Sequence, residues 1–302
     1  MRAILCLTVS LLPALTAADW PQFRGPDATG AAAEASPPVE WSAGKNVAWV
    51  ADLPGEGYSQ PVVVGDKVFV TGSSGHEDDR LHVVCFDATD GSVRWHRQFW
   101  ATGRTAVYEP EMRVATPTPL ATSDRVYALY SSNDLACLDH EGNLLWFRGL
   151  TYDYPNATSS LGMASSPAIA DGTLVCQLET DDASFAIGLD AETGENRWKV
   201  DRLRKANWTS PVVYEGEGGT VVLLEGADGV QAVAPATGET VWKFDGGGST
   251  VSSVAAADGI VFVPVNGLTA VRAPSPGSNP ETLWNNKKLN CSFVSPVVYR
   301  GR

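Results

Sequence analysis

Six tryptophans, Trp49, Trp95, Trp146, Trp198, Trp242 and Trp284, recur at intervals of 42 to 52 residues. A period of that size constrains the fold more than any other feature of the chain. Four of them close related stretches, "FDATDGSVRW", "LDHEGNLLW", "LDAETGENRW" and "VAPATGETVW". A second motif alternates with the first: "YSQPVVVGDKVFV", "TPTPLATSDRVYAL", "SSPAIADGTLVCQ", "TSPVVYEGEGGTVVLL", "SSVAAADGIVFV" and "VSPVVYRG". Each copy that runs on past its Gly or Asp turn is two short apolar runs around that turn, which reads as a hairpin.

Combining the two motifs gives a unit of four strands. The Ser/Thr-Pro-Val-Val run is the first, where Pro removes no ladder donor. The run after the turn is the second, the run into Asp the third, and the Trp-bearing run the fourth. No segment has a helical period, so the chain is expected to be all-β. Four-stranded units of this length suit the blades of a β-propeller, which pack face to face because one sheet alone cannot bury both faces. In this reading the Asp accepts backbone N–H groups of its turn and the Gly supplies a positive φ. The Trp docks between neighbouring blades. The expected architecture is five complete repeats, a partial sixth ending in "FVSPVVYRGR", and an N-terminal closing strand, "NVAWVADL" at 46–53. Counting strands in this way suggests a C-terminally truncated piece of a longer protein.

The first residues read as a secretion signal: Met1-Arg2, the apolar stretch "AILCLTVSLLPAL" and the small residues "TAA" before Asp19. The expected divisions are a signal peptide at 1–18, an N-terminal extension at 19–45 and the propeller domain at 46–302. An exported protein, periplasmic or extracellular, follows, with no transmembrane segment once the signal is removed. The formal charge of −13, without a Lys/Arg run, opposes nucleic acid as a partner. Four cysteines remain after cleavage, Cys85, Cys137, Cys176 and Cys291. Export permits disulfides and four Cys allow three pairings, while buried free thiols are the default reading.

The pattern Leu-Asp-Ala-x-Thr-Gly-x-x-x-Trp, alternating with Ser-Ser/Thr-Pro-Val-Val, resembles the PQQ-like (pyrrolo-quinoline quinone) β-propeller repeat over residues 41–302. That family includes quinoprotein dehydrogenases and BamB-type outer-membrane assembly lipoproteins. The stretch "DWPQFRGPDATG" is similar to the mature N-terminus of exported members in planctomycete-type bacteria. The resemblance implies a protein-binding or envelope-assembly scaffold with an envelope or extracellular protein as partner. Its alternative implication is a fragment of a PQQ-dependent oxidoreductase. Such an enzyme would hold PQQ between a Trp face and an adjacent-Cys disulfide ring, with calcium and an Asp base nearby. The chain has no Cys-Cys pair, so no cofactor is expected under the first reading, and PQQ with calcium only under the second.

Three groups of residues are candidates for a site. The inner strands offer Tyr58, Ser59, Thr116, Ser165, Ser166, Thr209, Ser210, Ser252, Ser253 and Ser295, with Trp208 beside them. Small hydroxyls there either bind a ligand or simply fit crowded strands and bond backbone. A polar set, Tyr108, Glu109, Glu111 and Arg113, together with Arg24, Tyr152, Asp153 and Tyr154, is a candidate to gather at one face. Surface ion pairing is the plainer account of it. The acidic loop His76, Glu77, Asp78 and Asp79, with His82, has cation-ligand types but neither EF-hand nor zinc spacing. No Ser/His/Asp or Cys/His arrangement is present, so no catalytic residue is assigned.

Overall fold

The structure is a computed structural model that describes residues 19–32, 35–105, 112–158, 161–275 and 278–302. The expected signal peptide at 1–18 and the candidates Tyr108, Glu109 and Glu111 lie outside the described residues. Five antiparallel four-stranded sheets follow one another. Blade 1 holds β1 (Val62–Val64), β2 (Lys67–Ser74), β3 (Arg80–Asp87) and β4 (Val93–Trp100). Blade 2 holds β5 (Leu120–Ala121), β6 (Arg125–Leu129), β7 (Asp134–Asp139) and β8 (Leu144–Gly149). Blade 3 comprises β9 (Ala168–Ala170), β10 (Thr173–Glu179), β11 (Ser184–Asp190) and β12 (Asn196–Asp201). Blade 4 comprises β13 (Val212–Gly216), β14 (Gly219–Gly226), β15 (Gly229–Val233) and β16 (Thr240–Phe244). Blade 5 is β17 (Ala255–Ala257), β18 (Ile260–Val263), β19 (Leu268–Arg272) and β20 (Glu281–Asn286). The only α-helix among the described residues is one turn, α1 (Leu150–Asp153).

The apolar core is divided among the blade interfaces. One cluster joins blades 1 and 2, one blades 2 and 3, one blades 3 and 4, and one blades 4 and 5. A fifth covers the free face of blade 1 with Trp49 and Ala51. Every blade carries a register shift between its third and fourth strands at the same place. Such a bulge re-aims the side chain beside it. The repeat Trp consequently stands opposite a small residue: Cys85, Cys137, Gly188, Ala232 or Ala270. That is why two cysteines hold equivalent positions. All four cysteines are free, and burial pushes the Cys85 and Cys137 thiols up to about 11 and Cys176 up to about 12.

The docking geometry repeats as well. The indoles of Trp49, Trp95, Trp146 and Trp198 donate Nε1–H to the carbonyls of Ala88, His140, Ala191 and Pro235 in the next blade, at 2.9, 2.8, 3.2 and 2.7 Å. Their rings lie on the left-handed glycines Gly91, Gly142, Gly194 and Gly238. A Cβ on Gly194 would sit 2.8 Å from the Trp146 ring, so here the glycine serves close approach as well as positive φ.

Two strand expectations are corrected. Residues 46–53 are not a laddered strand: Asn46 sits at a positive φ of 57°, and each of the five sheets is already made up of four strands of its own. Trp49 nonetheless docks on blade 1 as the other repeat Trp residues dock on theirs. Residues 291–302 likewise form no ladder, although Ser295 joins the inner strands through the Ser253 N–H at 3.0 Å.

Candidate functional site

The residues immediately before each inner-strand Pro, or before Val254, build a belt in which a backbone N–H meets the side chain of the next member. The N–H of Gln60 donates to Thr118 Oγ1 at 3.0 Å, and that of Thr118 to Ser166 Oγ at 3.0 Å. The backbone N–H of Ser166 donates to Ser210 Oγ at 2.9 Å, that of Ser210 to Ser253 Oγ at 2.9 Å, and that of Ser253 to Ser295 Oγ at 3.0 Å. Each hydroxyl oxygen therefore satisfies the backbone of the blade before it, a use of short polar side chains that also fits them to crowded strands.

Inside the belt lies a cavity of about 500 Å³, within the usual range for ligand sites. Its lining is Thr118, Ser166, Ser210, Ser253 and Ser295, with Thr116, Tyr58, Met112, Leu161, Ala164, Trp208, Val251 and Phe293 towards the rim, and Phe23. The side containing Phe23 is built by the N-terminal segment. Trp20 pairs with Val63, the carbonyl of Pro21 accepts the Ala121 N–H at 2.8 Å, and the Arg24 N–H donates to Gln60 Oε1 at 3.2 Å. No charged side chain lines this cup among the described residues.

The structure divides the expected site residues. Tyr58, Thr116, Ser166 and Trp208 line the cup. Trp208 spends its Nε1–H on Gly162 O at 3.0 Å, and Thr116 its hydroxyl on Arg113 O at 2.6 Å. Ser59 and Thr209 do not line it, which corrects that expectation: Ser59 bonds the Thr71 carbonyl at 3.2 Å and Thr209 the Glu225 carbonyl at 3.0 Å. The reason is strand alternation, which turns the neighbour of each lining residue away. Arg113 also stays outside the lining, paired with Glu56 at 2.5 Å and Asp78 at 3.7 Å.

The polar set is not gathered at one face. Arg24 is buried and donates to the carbonyls of Val254 (3.3 Å), Thr29 (3.2 Å) and Pro296, and burial lowers its guanidinium to about 10. It ties the N-terminal segment to blade 5 and to residues 296–298. Tyr152 is exposed, Asp153 pairs with Arg148, and the Tyr154 ring packs at a 50° tilt against Phe185. In the acidic loop, Asp78 accepts from Ser73 Oγ at 3.2 Å, and His82 lies between Ser74 Oγ at 2.7 Å and His96 at 2.9 Å. Burial lowers the His82 pKa, with His96 and Arg80 adding to the shift.

A buried polar cluster between blades 3 and 4 was not read from the sequence. Arg202 Nε meets Glu179 Oε1 at 2.7 Å with both side chains 3% exposed. Asn207 and Gln177 donate to the same carboxylate at 2.8 and 3.0 Å. Burial raises Glu179 in spite of these partners. Nearby Glu225 accepts the Ser249 N–H at 2.9 Å, but its Oε2 has no partner among the described residues. Burial raises Glu225 well above the usual carboxylate range. Glu179 is the last residue of β10 and Glu225 the last but one of β14, and no spacing marks these positions as buried.

With this geometry in view, the comparisons with known proteins identify the family. The model described as outer membrane protein assembly factor BamB matches residues 39–187 and 183–289. The chain belongs to the BamB-type family of PQQ-like propellers. Relatives include the outer membrane protein assembly factor BamB of Alkalilimnicola ehrlichii, 30% identical over 207 residues, 68% of this chain and 48% of that protein. Polyvinylalcohol dehydrogenase of a Pseudomonas species is 24% identical over 273 residues, 76% of this chain and 37% of that protein. The chain thus spans less than half the length of these curated relatives. Among solved structures, quinohemoprotein alcohol dehydrogenase from Comamonas testosteroni superposes with a TM-score of 0.61 at 14% identity, over 88% of this chain and 49% of that one. BamB from Moraxella catarrhalis gives 0.53 at 18% identity, over 80% and 65%. These likenesses show the propeller fold.

Proposed function

We propose that this propeller is an exported, non-catalytic scaffold that binds a protein partner in envelope assembly. The observation that carries the reading is the cup: an axial cavity with aromatic walls and hydroxyls and, among the described residues, no charged side chain. PQQ carries three carboxylates and, in the dehydrogenases the family resembles, works with calcium. The described lining offers neither a cation for those carboxylates nor a carboxylate for the metal, and the one arginine on the N-terminal segment is committed to backbone carbonyls. The residues present therefore do not fit that group, and no reaction step is assigned. The match to the assembly-factor model over most of the chain supports the same reading.

The test is a titration of the purified protein with PQQ and calcium, followed by Trp fluorescence and by dye-linked alcohol oxidation. The scaffold reading expects neither saturable quenching nor turnover; both together would sink it. Cross-linking in an envelope preparation supplies the positive side, with recovery of a defined protein partner expected.

A further inference from the structure

Each belt hydroxyl accepts a hydrogen bond, but none of the five donates one. Thr118, Ser166, Ser210 and Ser253 are only 2–3% exposed, and Ser295 completes the row. Their oxygens are engaged by the N–H groups of the preceding blade, and their own O–H hydrogens have no acceptor among the described residues. A hydroxyl is both donor and acceptor, and a donor left unmatched in a buried place is costly. The cup therefore presents an arc of free O–H donors around its axis, framed by Phe23, Tyr58, Trp208 and Phe293. Its occupant has to be rich in oxygen acceptors, poor in donors, uncharged and apolar in body.

We propose that the cup takes a proline-rich, uncharged peptide segment of the partner. The proposal rests on the scaffold reading above. A polyproline II segment has no internal hydrogen bonds and winds three residues per turn, so its carbonyls project around its axis. An arc of donors around the propeller axis meets that pattern. Proline brings no N–H, so the absence of charged acceptors in the cup leaves nothing unmatched. Aromatic walls pack against pyrrolidine rings, the recurring mode of Pro-rich recognition.

The experiment selects binders from a phage-displayed library of random dodecapeptides on the immobilised 302-residue protein. The strongest sequence is then synthesised and its affinity measured by calorimetry. Ala164→Phe fills the cup without removing any belt hydroxyl, and Val251→Trp narrows the rim should the first variant fail to fold. Expected are uncharged, proline-rich sequences whose Kd rises at least tenfold in the variant that retains the wild-type Tm. Enrichment of charged or proline-free sequences overturns the proposal, and so does an unchanged Kd in the folded variant, which leaves the scaffold reading standing on another surface. Equal competition by hexaethylene glycol, a neutral polyether, also overturns it, since the cup would then read oxygen acceptors alone. If no peptide is enriched and PQQ quenches saturably, both readings fall together.

Discussion

Trp198 donates to Pro235 O, stands opposite Gly188 and is only 8% exposed, whereas Trp284 in the same repeat position is 43% exposed. The motif is shared and the burial is not, because blade 4 packs over Trp198 while no further sheet among the described residues covers Trp284. Trp198→Ala is expected to cost about 3–5 kcal/mol, the range for a buried aromatic, and Trp284→Ala under about 1 kcal/mol. Urea midpoints of the two variants check the contrast. Glu225 gives a second prediction. Its folded pKa is raised, so the native state binds more protons than the unfolded chain, and stability falls as pH rises from the ordinary carboxylate range towards the folded value. Glu225→Gln keeps the acceptor for Ser249 N–H and cannot ionise. It is expected to match the wild type near pH 4 and to exceed it at pH 8, as read by denaturation midpoints at the two values.

At the scale of elements, the N-terminal stretch 19–30 behaves as part of the propeller and not as an appendage. It pairs Trp20 with Val63, closes one side of the cup with Phe23, and is held by Arg24 to three carbonyls. Arg24→Ala is expected to leave those carbonyls without their donor, at about 1–3 kcal/mol. Faster hydrogen exchange confined to 19–30 and 296–298 is the expected readout. Hairpins, turns and the Asp caps were legible from residues: Asp190 Oδ1 accepts Glu192 N and Thr193 N at 2.9 Å, as the turn pattern requires. The lining was half legible. Thr116, Ser166 and Trp208 lie one strand period from residues that point away, and without a fixed phase both sets look alike.

Across the whole molecule, exposed large apolar side chains include Trp284 on β20 and, in the stretch after it, Phe293, Val294 and Val297. Large apolar side chains left exposed favour association. The 302-residue chain is expected to show concentration-dependent self-association in light scattering after size exclusion, reduced by Val297→Lys. The repeat by itself determined the propeller, its five four-stranded sheets and the place of each docking Trp, because period and turn chemistry act over a few residues. Tertiary structure decided what neighbouring blades impose on one another. It set which hydroxyls face the axis, which Trp stays uncovered and where Arg24 is spent. It also buried Glu225 among groups far away in sequence, since burial depends on what stands alongside a strand and no strand carries that in its own residues.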